Sequence, residues 1–218
     1  MSRLHIFDMD GTLLRGSACL DLSRHMGQLD AVNEIEAKWS VGDVGHVEFY
    51  ELCLPLWAGM TETDVDDVFA MTDWLDGIQD VWADIAQRDE HSAVITLSPQ
   101  FFADRLLRWG VGSAHGAEVY AGVVPNPALV LTPDSKVELA HELMRHYGVG
   151  PDDVIAYGDS SSDVPLFREL RRTVAVNGTA SLREVAAVSY DGHDLREAYR
   201  AGRSLLLRSA SSARPTSC

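Results

Sequence analysis

The chain predicts an α/β fold: a doubly wound parallel sheet interrupted by an inserted helical segment. Three observations carry this. From residue 78 onward, short apolar runs alternate with helical patterns, the signature of βαβ units. A first apolar run, Leu4–Phe7, stands apart from the others at the N-terminus. Residues 15–78 between them read as mainly helical.

In order, Leu4–Phe7 is a buried strand that ends in the turn Asp8-Met9-Asp10-Gly11-Thr12. Leu20, Leu22, Met26, Val32 and Ile35 mark helical faces, as do Val47, Phe49, Tyr50 and Leu54 after a glycine-containing break. Thr61-Glu62-Thr63-Asp64 before Val65 and Val68 is a capped helix start. Ile78–Gln87 is an amphipathic helix, Ser92–Thr96 a strand, and Pro99–Trp109 a helix with proline in its first turn. Val119–Leu131 suggests a β-hairpin with Pro-Asn-Pro in its turn. Lys136–Tyr147 is a helix, and Val154–Tyr157, Val174–Val176 and Val188–Tyr190 are strands. The small polar residues 209–218 are expected to form a disordered tail.

Composition narrows the function. There are 33 acidic and 18 basic residues, a net charge of −15. That sign opposes nucleic-acid binding, which gains affinity from Lys and Arg, and opposes docking on anionic lipid. Three cysteines without a CxxC pair fit a reducing cytoplasm. No apolar stretch has the length of a membrane span, and the N-terminus does not read as a signal peptide. The chain uses 16 arginines but only two lysines, Lys38 and Lys136.

Ligands of open α/β sheets bind at the carboxyl ends of strands. Asp8 and Asp10 follow the first strand, Thr96 and its competitor Ser98 the second, Asp159 and Asp163 a later one, and Lys136 opens a helix. Clustered carboxylates repel unless a hard cation offsets them, and Mg²⁺ prefers carboxylates with water and phosphate oxygens. Asp8-Met9-Asp10-Gly11-Thr12-Leu13, Thr96, Lys136 and Gly158-Asp159-Ser160-Ser161-Ser162-Asp163 resemble, in order, the four motifs of the haloacid dehalogenase superfamily.

The resemblance implies a Rossmannoid core of residues 1–14 and 79–208 and a helical cap of residues 15–78, as in the phosphoserine phosphatase-like branch. It implies that Asp8 is the nucleophile, forming an aspartyl-phosphate, and that Asp10 is the general acid and base. Thr96, Lys136 and Ser98 would bind phosphoryl oxygens. Mg²⁺ would be held by Asp8, the Asp10 backbone carbonyl and Asp159, with Asp163 in support. Superfamily dehalogenases lack the acid two residues after the nucleophile, so Asp10 favours phosphoryl chemistry.

The expected activity is therefore hydrolysis of a small phosphorylated metabolite. Phosphoserine phosphatase and an aspartyl-phosphate phosphotransferase or mutase are the alternatives. Two departures point away from phosphoserine: Ser17 falls where that branch carries a glutamate, and Tyr50–Trp57 holds no arginine. Ser162 replaces a frequent asparagine. The cap segment holds 13 acidic and 3 basic residues, so it is expected to select a neutral or cationic leaving group such as a sugar, aminosugar or amino alcohol. Trp39, Phe49, Tyr50 and Trp57 are candidate stacking surfaces. Arg200, Arg203 and Arg208 read as a solvated helix face.

Overall fold

Strands buried on both faces build the sheet in a computed structural model that describes residues 2–211. On β1 (Leu4–Phe7), Leu4 and Ile6 enter one hydrophobic cluster and Phe7 enters the other, on the opposite face. Helices α1 (Ala18–His25), α2 (Leu29–Ser40), α3 (His46–Cys53) and α4 (Glu62–Met71) follow. Thr61 caps α4 in the expected box, its hydroxyl accepting from the Asp64 amide while Asp64 accepts from the Thr61 amide. The chain then forms α5 (Ile78–Gln87), β2 (His91–Pro99), α6 (Gln100–Ala103), β3 (Ser113–Ala117) and α7 (Pro133–Tyr147). It ends with β4 (Val154–Gly158), α8 (Val164–Glu169), β5 (Thr173–Val176), α9 (Ala180–Arg183), β6 (Val188–Tyr190) and α10 (Leu195–Ser211).

The six strands pair in parallel in the order β3-β2-β1-β4-β5-β6. Residues of α5, α10 and the helical segment pack on one face, and those of α7, α8 and α9 on the other. The winding reverses between β1 and β4, and this order places a crevice at their carboxyl ends. No helix among the described residues is long and apolar enough to cross a membrane.

Four expectations need correction. Residues 119–131 form no hairpin; the stretch is irregular, with one 3₁₀ turn at Pro127–Leu129. Tyr120, Val123 and Val124 are exposed, so no apolar face holds two strands there. The edge strand β3 lies instead at Ser113–Ala117, whose small residues give no strand signal. The Pro99–Trp109 helix is a single α-turn running into a 3₁₀ helix, Asp104–Trp109. Arg203 is not a solvated residue: it pairs with the buried Glu90 at 2.6 Å. Of the expected tail, residues 209–211 end α10 and residues 212–218 lie outside the described residues.

Candidate active site

The turn after β1 separates its side chains by purpose. The Met9 carbonyl accepts from the amides of Thr12, Leu13 and Leu14, which folds the chain back, while the Met9 side chain is buried in the core. Asp8 and Asp10 line a cavity of about 210 Å³. Gly11 has φ +74°, and a Cβ there would overlap the Asp159 carboxylate, so the turn demands glycine twice over.

Lys136 is aimed from the first turn of α7, which is fixed by a Thr132–Ser135 capping box and by Pro133. Its Nζ donates to Asp8 Oδ1 at 2.8 Å, Asp163 Oδ1 at 2.7 Å and Ser162 Oγ at 3.2 Å. Burial opposes the ammonium charge, but Asp163 and Asp8 outweigh it and raise the pKa above the ordinary lysine value.

Asp163 is fixed by backbone amides: its Oδ2 accepts from Asp159 at 3.0 Å and Ser160 at 3.3 Å. A Cβ on Gly158 would collide with that carboxylate. Asp8, Asp159 and Asp163 each present an oxygen, all within 4.8 Å of one another. Burial, and then repulsion from Asp163, pushes Asp8 well above the usual carboxylate range and Asp159 to about 7. Asp159 Oδ1 is buried and accepts no hydrogen bond from any described residue. A buried acceptor without a donor, in an all-oxygen set, fits a hard divalent cation such as Mg²⁺.

Asp10 is held apart from this cluster. Its Oδ1 accepts from the Ala18 amide at 2.7 Å, and its Oδ2 accepts from the Thr96 hydroxyl at 3.1 Å. Burial raises its pKa, and hydrogen bonds from Ser98, Ala18 and Thr96 oppose the rise. Thr96 is fully buried and also accepts from the Ser98 amide at 3.1 Å. It is therefore turned toward Asp10, and Ser98 rather than Thr96 lines the cavity.

Every expected site residue thus lies at the carboxyl ends of β1, β2 and β4 or at the start of α7. The carboxylates of Asp8, Asp159 and Asp163 converge, while that of Asp10 serves Ala18 and Thr96. Of the aromatic candidates, Trp39, Phe49 and Tyr50 line the cavity. Trp57 does not; it is fully buried, its indole N–H donating to Ser23 at 2.8 Å. Glu36, His46 and Cys19 also line the cavity and were not anticipated. They carry no local motif, since only the packing of α1, α2 and α3 brings them there.

The haloacid dehalogenase-like hydrolase family model matches residues 6–168. Phosphoserine phosphatase from Idiomarina loihiensis is 22% identical over 90% of this chain and 91% of that protein. The one from Wolinella succinogenes is 25% identical over 89% of this chain and 97% of that protein. The relative from Archaeoglobus fulgidus, also a phosphoserine phosphatase, is 24% identical, and the match spans 58% of its length. Among solved structures, a phospho-aspartyl intermediate analogue of phosphoserine phosphatase superposes with a TM-score of 0.77 at 19% identity. That match covers 91% of this chain and 98% of the other. The family match runs from within β1 into α8 and includes all four motifs. The chain belongs to the haloacid dehalogenase-like hydrolase family, and within it is similar to the phosphoserine phosphatases.

Proposed function

We propose that this protein hydrolyses a phosphate monoester of a small metabolite through an aspartyl-phosphate on Asp8. One observation carries the reading: Asp8 is tied to the buried Lys136, while Asp10, two residues on, is held separately by Ala18 and Thr96. Two carboxylates in different environments can take two roles.

The Asp8 carboxylate attacks phosphorus, and the bond to the leaving oxygen breaks. Asp10, which carries the proton at the start, gives it to that oxygen. The alcohol leaves. Asp10 then takes a proton from water as the water attacks phosphorus, which releases inorganic phosphate and restores Asp8. Lys136 holds positive charge beside Asp8, where it would offset charge on the transferring phosphoryl group. Ser98 lines the cavity, as do Ser160 and Ser162, and would offer a hydroxyl to a phosphoryl oxygen; Thr96 keeps Asp10 oriented. Asp8 and Asp159, backed by Asp163, would hold Mg²⁺, which when bound neutralises the carboxylates and polarises the phosphoryl group. Residues 15–78 would act as the cap that closes the cavity and excludes water.

The expectation of a sugar phosphate finds no support among the relatives, whose names favour phosphoserine. Phosphoserine is therefore the first substrate to assay. The deciding experiment measures phosphate release from a panel of small phosphate esters with Mg²⁺, for wild type and Asp8→Asn. Wild-type turnover in Asp8→Asn would overturn the mechanism.

A further inference from the structure

The cavity wall away from Lys136 has a chemistry of its own. Helices α2 and α3 supply Glu36, Trp39, His46, Phe49 and Tyr50. Trp39 lies 5.7 Å from Phe49 and 6.0 Å from His46 between ring centroids, and Phe49 lies 5.6 Å from Tyr50. Glu36 is the one carboxylate on this wall, and its partner among the described residues is a neutral one, the Ser17 hydroxyl at 3.2 Å. Lys136 is the one lysine or arginine among the described lining residues, and it is committed to Asp8 and Asp163. Burial holds His46 below the ordinary histidine value, so it adds no positive charge near neutral pH.

The position of Glu36 relative to the chemistry is fixed by α1. Ser17 donates to Glu36, and the next residue, Ala18, donates its amide to Asp10. Consecutive Cα atoms are about 3.8 Å apart. Glu36 and Asp10 are therefore held by adjacent residues, near enough for the Asp10 charge to act on Glu36. A substrate group that contacts Glu36 would belong to the leaving alcohol.

We infer that Glu36 reads the leaving group and that the substrate class is a small O-phosphorylated primary amine with no second acidic group. An ammonium there gains a charge-assisted bond to Glu36 and a face of the aromatic wall. A carboxylate on the same alcohol meets Glu36 and no available cation, and like charges brought together out of water are costly. Phosphoserine carries both groups, and this wall answers only its amine.

The inference rests on the phosphomonoesterase reading, and one assay separates the two. The catalytic efficiency kcat/KM is measured for O-phosphoethanolamine, its neutral analogue 2-hydroxyethyl phosphate, O-phosphoserine, phosphoglycolate and 4-nitrophenyl phosphate. The amine ester should exceed its hydroxyl analogue by roughly tenfold to a hundredfold, the worth of one hydrogen bond to a charged group. O-phosphoserine should fall below O-phosphoethanolamine, and phosphoglycolate should be slowest. Glu36→Gln should bring the amine-to-hydroxyl ratio toward one, and Glu36→Asp should restore part of it. An unchanged ratio in Glu36→Gln, or O-phosphoserine or phosphoglycolate outrunning O-phosphoethanolamine, overturns the inference while leaving phosphomonoesterase activity standing. Failure of wild type to hydrolyse any of these esters, 4-nitrophenyl phosphate included, overturns both.

Discussion

Lys136 is buried to 1% exposure, yet it is a cation among carboxylates rather than a lone charge. Removing one partner from such a cluster leaves charge without compensation. Lys136→Met is expected to cost about 3–5 kcal/mol in urea unfolding without Mg²⁺. If Asp8 is the nucleophile proposed above, Asp8→Asn should lower kcat by at least roughly a thousandfold, because a nucleophile acts as a unit with its partners. Asp159→Asn tests the cation site without an activity assay. Wild type should gain about 2.7 kcal/mol of stability at Mg²⁺ one hundredfold above Kd, read as a rise in Tm. A variant that keeps the same Mg²⁺-dependent rise would remove Asp159 from the ligand set.

Elements show which local signals survive tertiary packing. The Thr61 capping box was legible because it is a contact between neighbours in sequence, complete within one helical turn. Thr61→Ala should cost about 1 kcal/mol and lower Tm by roughly 2–4 °C in a thermal scan. Helix α5 was legible for a related reason: its apolar stripe, Ile78, Val81, Trp82 and Ile85, matches one buried face. Strand β3 was not, because Ser113–Ala117 contains no β-branched or large aromatic residue. It is a strand because β2 offers it a partner, and Gly112 and Gly116 let the backbones meet where a Cβ would strike Ser92 or Ser98 carbonyls. The apolar residues of 119–131 misled in the opposite direction: Val123 and Val124 are hydrophobic but exposed.

Across the whole molecule, a second ionic cluster joins β1, the start of β2 and α10. Glu90, before β2, accepts from His5 on β1 at 3.0 Å, from Arg203 on α10 at 2.6 Å and from Arg3 at 2.7 Å. Burial disfavours the Glu90 charge, but His5, Arg203 and Arg3 outweigh it and hold its pKa well below the ordinary value. Burial lowers His5 more than Glu90 raises it. Both folded-state values lie below the unfolded ones, so both contributions are present at high pH and fade on acidification. The stability from His5 should decline as pH falls below about 6.5, and that from Glu90 as pH falls below about 4.5. Urea midpoints measured from pH 8 to pH 2 should therefore drop in two stages, and Glu90→Gln should shrink the lower one. A flat profile would mean that neither group is shifted.

The sequence by itself determined the alternation of strands and helices and the inserted helical segment, and it offered Asp8, Asp10, Lys136 and Asp159 as candidates. The elements rest on short-range rules, apolar runs, caps and turn residues, and the candidates on polar residues at strand ends together with the family resemblance. Only the tertiary structure decided which residues complete the cavity. Glu36 and His46 sit on helices whose spacing along the chain says nothing of the site, and they reach it because α1, α2 and α3 fold over the β1 turn. It also turned Thr96 toward Asp10 and buried Trp57 in the core, distinctions that depend on side-chain direction rather than residue type. The physical reason is range. Backbone geometry and capping are fixed within a few residues, whereas the polarity of a cavity wall is the sum of contacts between segments far apart in sequence.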